Sequence, residues 1–347
     1  MAETERPAPL DNLQGWKVAI PVVIGLAATA FLFWREYTPG TFDAFTFTWH
    51  TVFWLVIAAL FMSMRDIGYM IRIRLLSDNE LGWLPSFRII MLWEFASAVT
   101  PSAVGGTSVA LFFVNKEGIS AGRSTGIVMV TSFLDELYFA LMFPLVIFGI
   151  GYTRIFGDVT TAVTSAAWIG YCIKLAYICV LSYGMFINPR GLKWLLLNIF
   201  RLPFLRKWRT DIACVGQDIV ETARYFKRWP MVNWVKAFAA TFLSWTSRYW
   251  VVNALIIAFF GFGKMGLGDN LIVFGRQLVM WITMLVAPTP GGAGFAEYAF
   301  KEFLSSYIPS SPMALAFCWR LISYYPYLLI GAVLLPRWAG SYLKKKE

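Results

Sequence analysis

Seven ionisable residues stand inside apolar stretches where a charge is expensive: Glu94, Asp135, Glu136, Arg248, Arg276, Glu297 and Arg320. On insertion scales a charged side chain at the centre of a spanning helix costs about 2.5–3.5 kcal/mol, so such residues are usually paired and functional. Arginine offers bidentate contacts to phosphate oxygens, and a carboxylate holds an amine or carries a coupling proton. The plain alternative is mutual neutralisation as structural ion pairs, a reading that weighs most on Arg276 and Arg320, near the outer face. Ion pairs buried for stability alone often do no better than apolar replacements, which favours function for the set as a whole.

Two interruptions position these charges. Pro288-Thr289-Pro290-Gly291-Gly292-Ala293-Gly294-Phe295-Ala296-Glu297 separates apolar segments at roughly 271–287 and 295–306. Thr100-Pro101-Ser102-Ala103-Val104-Gly105-Gly106-Thr107 separates segments at about 84–99 and 107–114. Proline removes an amide donor and glycine weakens helical preference, so each helix must break. In hydrocarbon the freed backbone groups survive only if buried in protein or lining a wet cavity. Setting Pro101 on Pro290 brings Gly105 onto Gly294, and a broken segment in each half points to a transporter built from repeats, with its site at the breaks. Half-helices starting after Gly106 and after Gly291-Gly292 would present free amides and a positive dipole end, a natural receptor for phosphate. Gly292 and Thr107 lie at these ends.

The solvent follows from composition. Hydrophobic residues make up 58% and charged ones 14% of 347 residues, and mean hydropathy is +0.61. A polytopic all-α membrane protein with about seven to nine spans is expected, as one transmembrane domain over 1–347. Cys172, Cys179, Cys214 and Cys318 form no CxxC pair and read as packing residues. His50 is the one histidine, so a zinc site or a His-based triad has almost nothing to work with, and no metal or cofactor is expected. The first apolar run reads as a retained span rather than a signal peptide.

In chain order, spans are expected at about 16–34 and 49–64, the second followed by a loop with Arg65, Arg72, Arg74 and Arg88. The first broken pair, about 84–114, enters and leaves on that same side. Long helices follow at about 125–151 and 166–187. The basic segment at about 188–230 threads arginines and lysines through tryptophan and leucine, as amphipathic helices on an anionic leaflet do. Nucleic acid is not expected as a partner. A span at about 232–260, the second broken pair at about 271–306 and a last span at about 313–335 complete the bundle. The positive-inside rule then places both termini in the cytoplasm and the two broken pairs in opposite orientation, an inverted repeat in the inner membrane.

The motifs resemble the flippase-like integral membrane family related to the transmembrane domain of lysylphosphatidylglycerol synthases. The resemblance rests on Thr100-Pro101 with Gly105-Gly106, on Asn115-Lys116-Glu117-Gly118-Ile119-Ser120, on Asp135, and above all on the Pro288–Glu297 stretch. It implies a helical bundle with two facing re-entrant broken helices, and movement of a phospholipid or glycolipid headgroup between leaflets. Thr107 stands where many relatives carry an acid, and Glu136 follows Asp135 where arginine is common; both bear on headgroup preference. The soluble aminoacyl-transferase domain is expected to be absent, since the chain ends soon after the last span. The expected partners are membrane lipids with an anionic or phosphate-bearing headgroup, a second copy of the chain, or a lipid-modifying enzyme. Two other readings stay open: a membrane-embedded enzyme with Asp135-Glu136 or Glu297 as general base, and a non-transporting partner of such an enzyme. No nucleophile, metal triad or Asp-rich magnesium motif accompanies the carboxylates, which favours translocation over catalysis.

Overall fold

The computed structural model describes residues 34, 45–100, 103–202, 206, 209–261, 263, 265–286, 292 and 294–343. Most of the first expected span, the prolines Pro101 and Pro290, and Lys344-Lys345-Lys346 lie outside them. Among the described residues every regular element is helical. In order these are α1 (Trp49–Leu76), α2 (Trp83–Val99), α3 (Ala103–Lys116), α4 (Ala121–Ile150) and the short α5 (Tyr152–Phe156). Then come α6 (Thr161–Ser182), prolonged by a π turn over Tyr183–Ile187, α7 (Pro189–Ile199), α8 (Arg209–Phe226) and α9 (Met231–Phe260). The last are α10 (Leu267–Thr283), α11 (Phe295–Leu304), α12 (Pro312–Ser323) and α13 (Tyr325–Leu343). Four segments, Trp49–Leu76, Ala121–Ile150, Thr161–Ile187 and Pro312–Trp338, are long and apolar enough to cross a membrane.

The bundle is built around the crossing of α1 and α9. A Cβ on Gly68 would collide with Ser244 Oγ and stand 2.8 Å from the carbonyl oxygen of Ala240. Only a glycine lets the helices approach so closely, and small residues serve this purpose where lipid offers no hydrophobic drive. Ser244 Oγ then donates to the carbonyl oxygen of Arg65 at 3.0 Å, fastening the crossing. A similar slot joins α2 to α13: the ring of Phe95 lies over Gly331, where a Cβ would overlap it.

The two interruptions produce two helical hairpins. In the first, α2 packs on α3. The arms touch near the tip, where a Cβ on Gly106 would overlap Ser97 Oγ and stand 3.0 Å from Ser97 Cα. At the base Arg88 pairs with Glu117 at 2.8 Å. In the second, α10 packs on α11, and near the base Arg276 reaches the carbonyl oxygen of Phe303 at 2.9 Å.

Several expectations need correction. The second span does not stop at Met64: α1 continues to Leu76, and Arg65 and Arg72 are buried within it rather than looped out. Their partners come from segments remote in sequence, so the helix tolerates them. The third helix begins at Ala103, not after Gly106, so Gly105 and Gly106 are helical and Gly106 provides closeness rather than a terminus. The last span is itself broken at Tyr324, between α12 and α13. Pro326 explains this, because it lacks the amide that would bond the carbonyl of Ile322 and its ring clashes there. Of the cysteines, Cys172, Cys179 and Cys214 are exposed on the bundle surface rather than packed inside it.

Candidate functional site

Helical periodicity puts Arg65, Tyr69 and Arg72 on one stripe of α1. Arg65 is fully buried; it pairs with Asp66 at 2.8 Å and with Glu94 of α2. Arg72 pairs with Asp135 of α4 at 2.5 Å and donates to Thr241 Oγ1 at 3.1 Å. Tyr69 lies between, its ring centroid 4.9 Å from the Arg65 guanidinium and 4.7 Å from that of Arg72. Tyr327 Oη donates to Asp66 at 2.8 Å and its ring covers Arg65 from the other side. Trp245 Nε1 donates to Asp135 at 2.7 Å.

The burial within these pairs is lopsided. The side chains of Arg65 and Arg72 are 0% and 5% exposed, whereas Asp66, Glu94 and Asp135 keep 18%, 23% and 22%. In each pair the cation is the buried member and the carboxylate the more accessible one.

Arg248 differs from all of these. It sits half-buried on α9 with its guanidinium 3.9 Å from the ring centroid of Trp281 and 5.7 Å from that of Trp245. Among the described residues it has neither an ion pair nor a hydrogen bond. A guanidinium keeps its charge at any ordinary pH and presents five donors. Stacked on indole and short of an acid partner, this one is disposed to take an anion.

At the second break, Gly294 has φ +81 and its amide donates to Glu297 Oε2 at 2.7 Å. The other oxygen of Glu297 receives Arg320 Nε at 2.9 Å, and both side chains are buried. The start of α11 is therefore capped from within by Glu297. Gly292, with φ +67, precedes it and approaches Met284 Cε, 2.8 Å from where its Cβ would stand. Tyr324 stacks on Arg320 at 4.6 Å and donates to the carbonyl oxygen of Ala98, one residue before the end of α2, at 3.1 Å. The contacts Ala98–Tyr324–Arg320–Glu297–Gly294 thus link the first hairpin's tip to the second's.

The remaining expected site residues lie apart. Glu136 turns away from Asp135 and pairs with Lys174 of α6 at 2.9 and 3.0 Å. Arg276 lies towards the opposite end, where its donors go to the carbonyl oxygen of Arg154 at 2.7 and 3.0 Å, to Phe303 O, to Ser306 Oγ at 3.0 Å and to Asp158 at 3.2 Å. Thr107 and Gly105 belong to the first turns of α3, while Pro101 and Pro290 are outside the described residues.

Of the mutual neutralisation weighed as the alternative for the seven charges, the structure shows one pair, Glu297 with Arg320. Glu94, Asp135 and Glu136 instead use Arg65, Arg72 and Lys174, none of which sequence reasoning placed in the site. Two signals pointed to them: the i, i+4, i+7 spacing of Arg65, Tyr69 and Arg72, and a lysine alone in the apolar run that forms α6. Tyr324 and Tyr327 carried no such signal.

The first base, at Arg88 and Glu117, adjoins the start of α4, and the second, at Arg276 and Arg154, adjoins its end. Thirty helical residues, about 45 Å, separate the two. Against known proteins, residues 18–331 match the family described as the lysylphosphatidylglycerol synthase transmembrane region. A UPF0104 membrane protein of Archaeoglobus fulgidus is 24% identical over 332 residues, covering 90% of this chain and 94% of its own length. No solved structure matches the chain.

Proposed function

The chain belongs to the family of the lysylphosphatidylglycerol synthase transmembrane region, and on that premise we propose that it is an integral membrane lipid translocator. It moves a phospholipid or glycolipid headgroup between leaflets past the zone where the hairpin tips meet, with the acyl chains left in the bilayer. The observation that carries this reading is Arg248, a cation among membrane-depth groups that lacks an acid partner among the described residues. It engages phosphate oxygens of a passing headgroup, while the accessible edges of Asp66, Glu94 and Asp135 accept hydrogen bonds from its hydroxyls or amine.

In this reading the hairpins are re-entrant and oppositely directed. Support comes from their bases, which adjoin opposite ends of α4, and from the contacts joining their tips. The end with Arg88, Arg123, α7 and α8 faces the cytoplasm, where lysine and arginine concentrate. An enzyme using Asp135, Glu136 or Glu297 as base would first have to release it from Arg72, Lys174 or Arg320, which disfavours catalysis.

The test is a reconstituted assay of headgroup-labelled phospholipid crossing between leaflets, with Arg248→Gln beside the unaltered chain. A fall of about tenfold or more, equivalent to about 1.4 kcal/mol, is expected. Equal rates for a variant that folds normally remove the reading.

A further inference from the structure

Helix α8 is fastened to the bundle along one side. Asp218 accepts from Thr125 Oγ1 at 2.9 Å, and Tyr225 Oη donates to Asp78 in the turn after α1. Arg123 braces the same turn through Glu80 at 2.5 Å. Beyond these ties, Arg224, Lys227 and Arg228 have no ion pair or hydrogen bond from their side chains among the described residues. They line, with Glu221, Tyr225 and Trp229, a concavity of about 650 Å³. Glu221 is the one acid in that lining, and its Oε1 already receives Gln217 at 3.2 Å. Trp229 is buried, and its indole Nε1 is a donor without an acceptor among the described residues.

We propose that this concavity is a binding site for the phosphate of an anionic phospholipid, separate from the zone around Arg248. Three unneutralised cations within five residues supply the charge complementarity. Apolar surface begins just beyond them: Met231, Val232 and Val235, at the start of α9, are all exposed. A lipid whose phosphate sits on Arg224, Lys227 and Arg228 lays its acyl chains along that face, which a free phosphate would leave bare. The packed neighbour α7 exposes Trp194, Leu195 and Ile199, as a helix resting on a bilayer surface does. The site does not depend on the transport reading, because it concerns retention of a lipid rather than its passage.

The experiment titrates phosphatidylglycerol or phosphatidylcholine into the full chain in neutral detergent and counts retained lipids by native mass spectrometry. Retention of phosphatidylglycerol over phosphatidylcholine is expected, with about a tenfold loss of affinity in R224Q/K227Q/R228Q. The charge-matched R190Q/R201Q/R206Q is expected to keep the affinity. Equal losses in both triple variants reduce the effect to general surface charge and overturn the site. Displacement of the lipid by millimolar inorganic phosphate overturns the lipid assignment, and so does equal retention of the two lipids. Because the three side chains are exposed and unpaired, folding of the variant is expected to match that of the unaltered chain, checked by thermal unfolding.

Discussion

Tyr324 donates its hydroxyl to the carbonyl oxygen of Ala98 across 3.1 Å. The two residues are far apart in sequence, yet this bond spans the gap between the first hairpin's tip and the kink of the last span. Tyr324 reaches that carbonyl because Pro326 interrupts the helix and turns the ring towards α2 and Arg320. Replacing Tyr324 by Phe keeps the stacking and removes the bond. A loss of about 1 kcal/mol is expected, read as a lowered unfolding midpoint, together with a slower lipid transfer rate. An unchanged rate separates the bond from function.

Arg248 and Arg65 are expected to respond oppositely to the same substitution. Arg65→Gln strands Asp66 and Glu94 without their cation and is expected to cost about 3–5 kcal/mol. Arg248→Gln breaks no ion pair among the described residues and is expected to cost less than about 1 kcal/mol while suppressing transfer. Thermal unfolding and transfer measured side by side check the contrast; equal destabilisation of the two would mean that Arg248 has a structural partner.

The Glu136–Lys174 pair is expected to be structural. Lys174→Met alone leaves a carboxylate uncompensated between α4 and α6, costing about 3–5 kcal/mol. Adding Glu136→Gln should recover most of that, with transfer near the original rate. A double variant that folds well but does not transfer lipid would move the pair into the site.

Gly106→Ala is expected to push the arms of the first hairpin apart, because its Cβ would enter the space of Ser97. Overpacking of this kind costs about 1–3 kcal/mol. Combining it with Ser97→Gly should restore part of the stability, and absence of any rescue would show that Gly106 acts otherwise.

Cysteines placed at Ser102 and Ala293 are expected to be labelled from opposite membrane faces when the hairpins are probed one at a time. Labelling of both from one side alone would end the opposed arrangement.

The breaks were legible because proline and glycine act locally: their effect on a helix does not depend on distant residues. The end of helix α1 is hidden from the sequence for the converse reason. Arg65 and Arg72 look like a cytoplasmic loop until Glu94 and Asp135 arrive from elsewhere in the chain to neutralise them. At Gly106 the constraint is close approach to Ser97 across the hairpin, a contact that the neighbouring sequence does not reveal. Arg276 illustrates the same limit, since carbonyl acceptors such as those of Arg154 and Phe303 have no sequence signature.

Those two carbonyls make Arg276 a fulcrum. With one guanidinium riveting α10 to Phe303 on one side and to Arg154 on the other, that level of the second hairpin has little freedom to translate. About ten residues separate Arg276 from the end of its arm at Val286, a lever of about 15 Å. A tilt of α10 about that level would therefore displace Val286 more than the residues beside Arg276, in proportion to their distance from it.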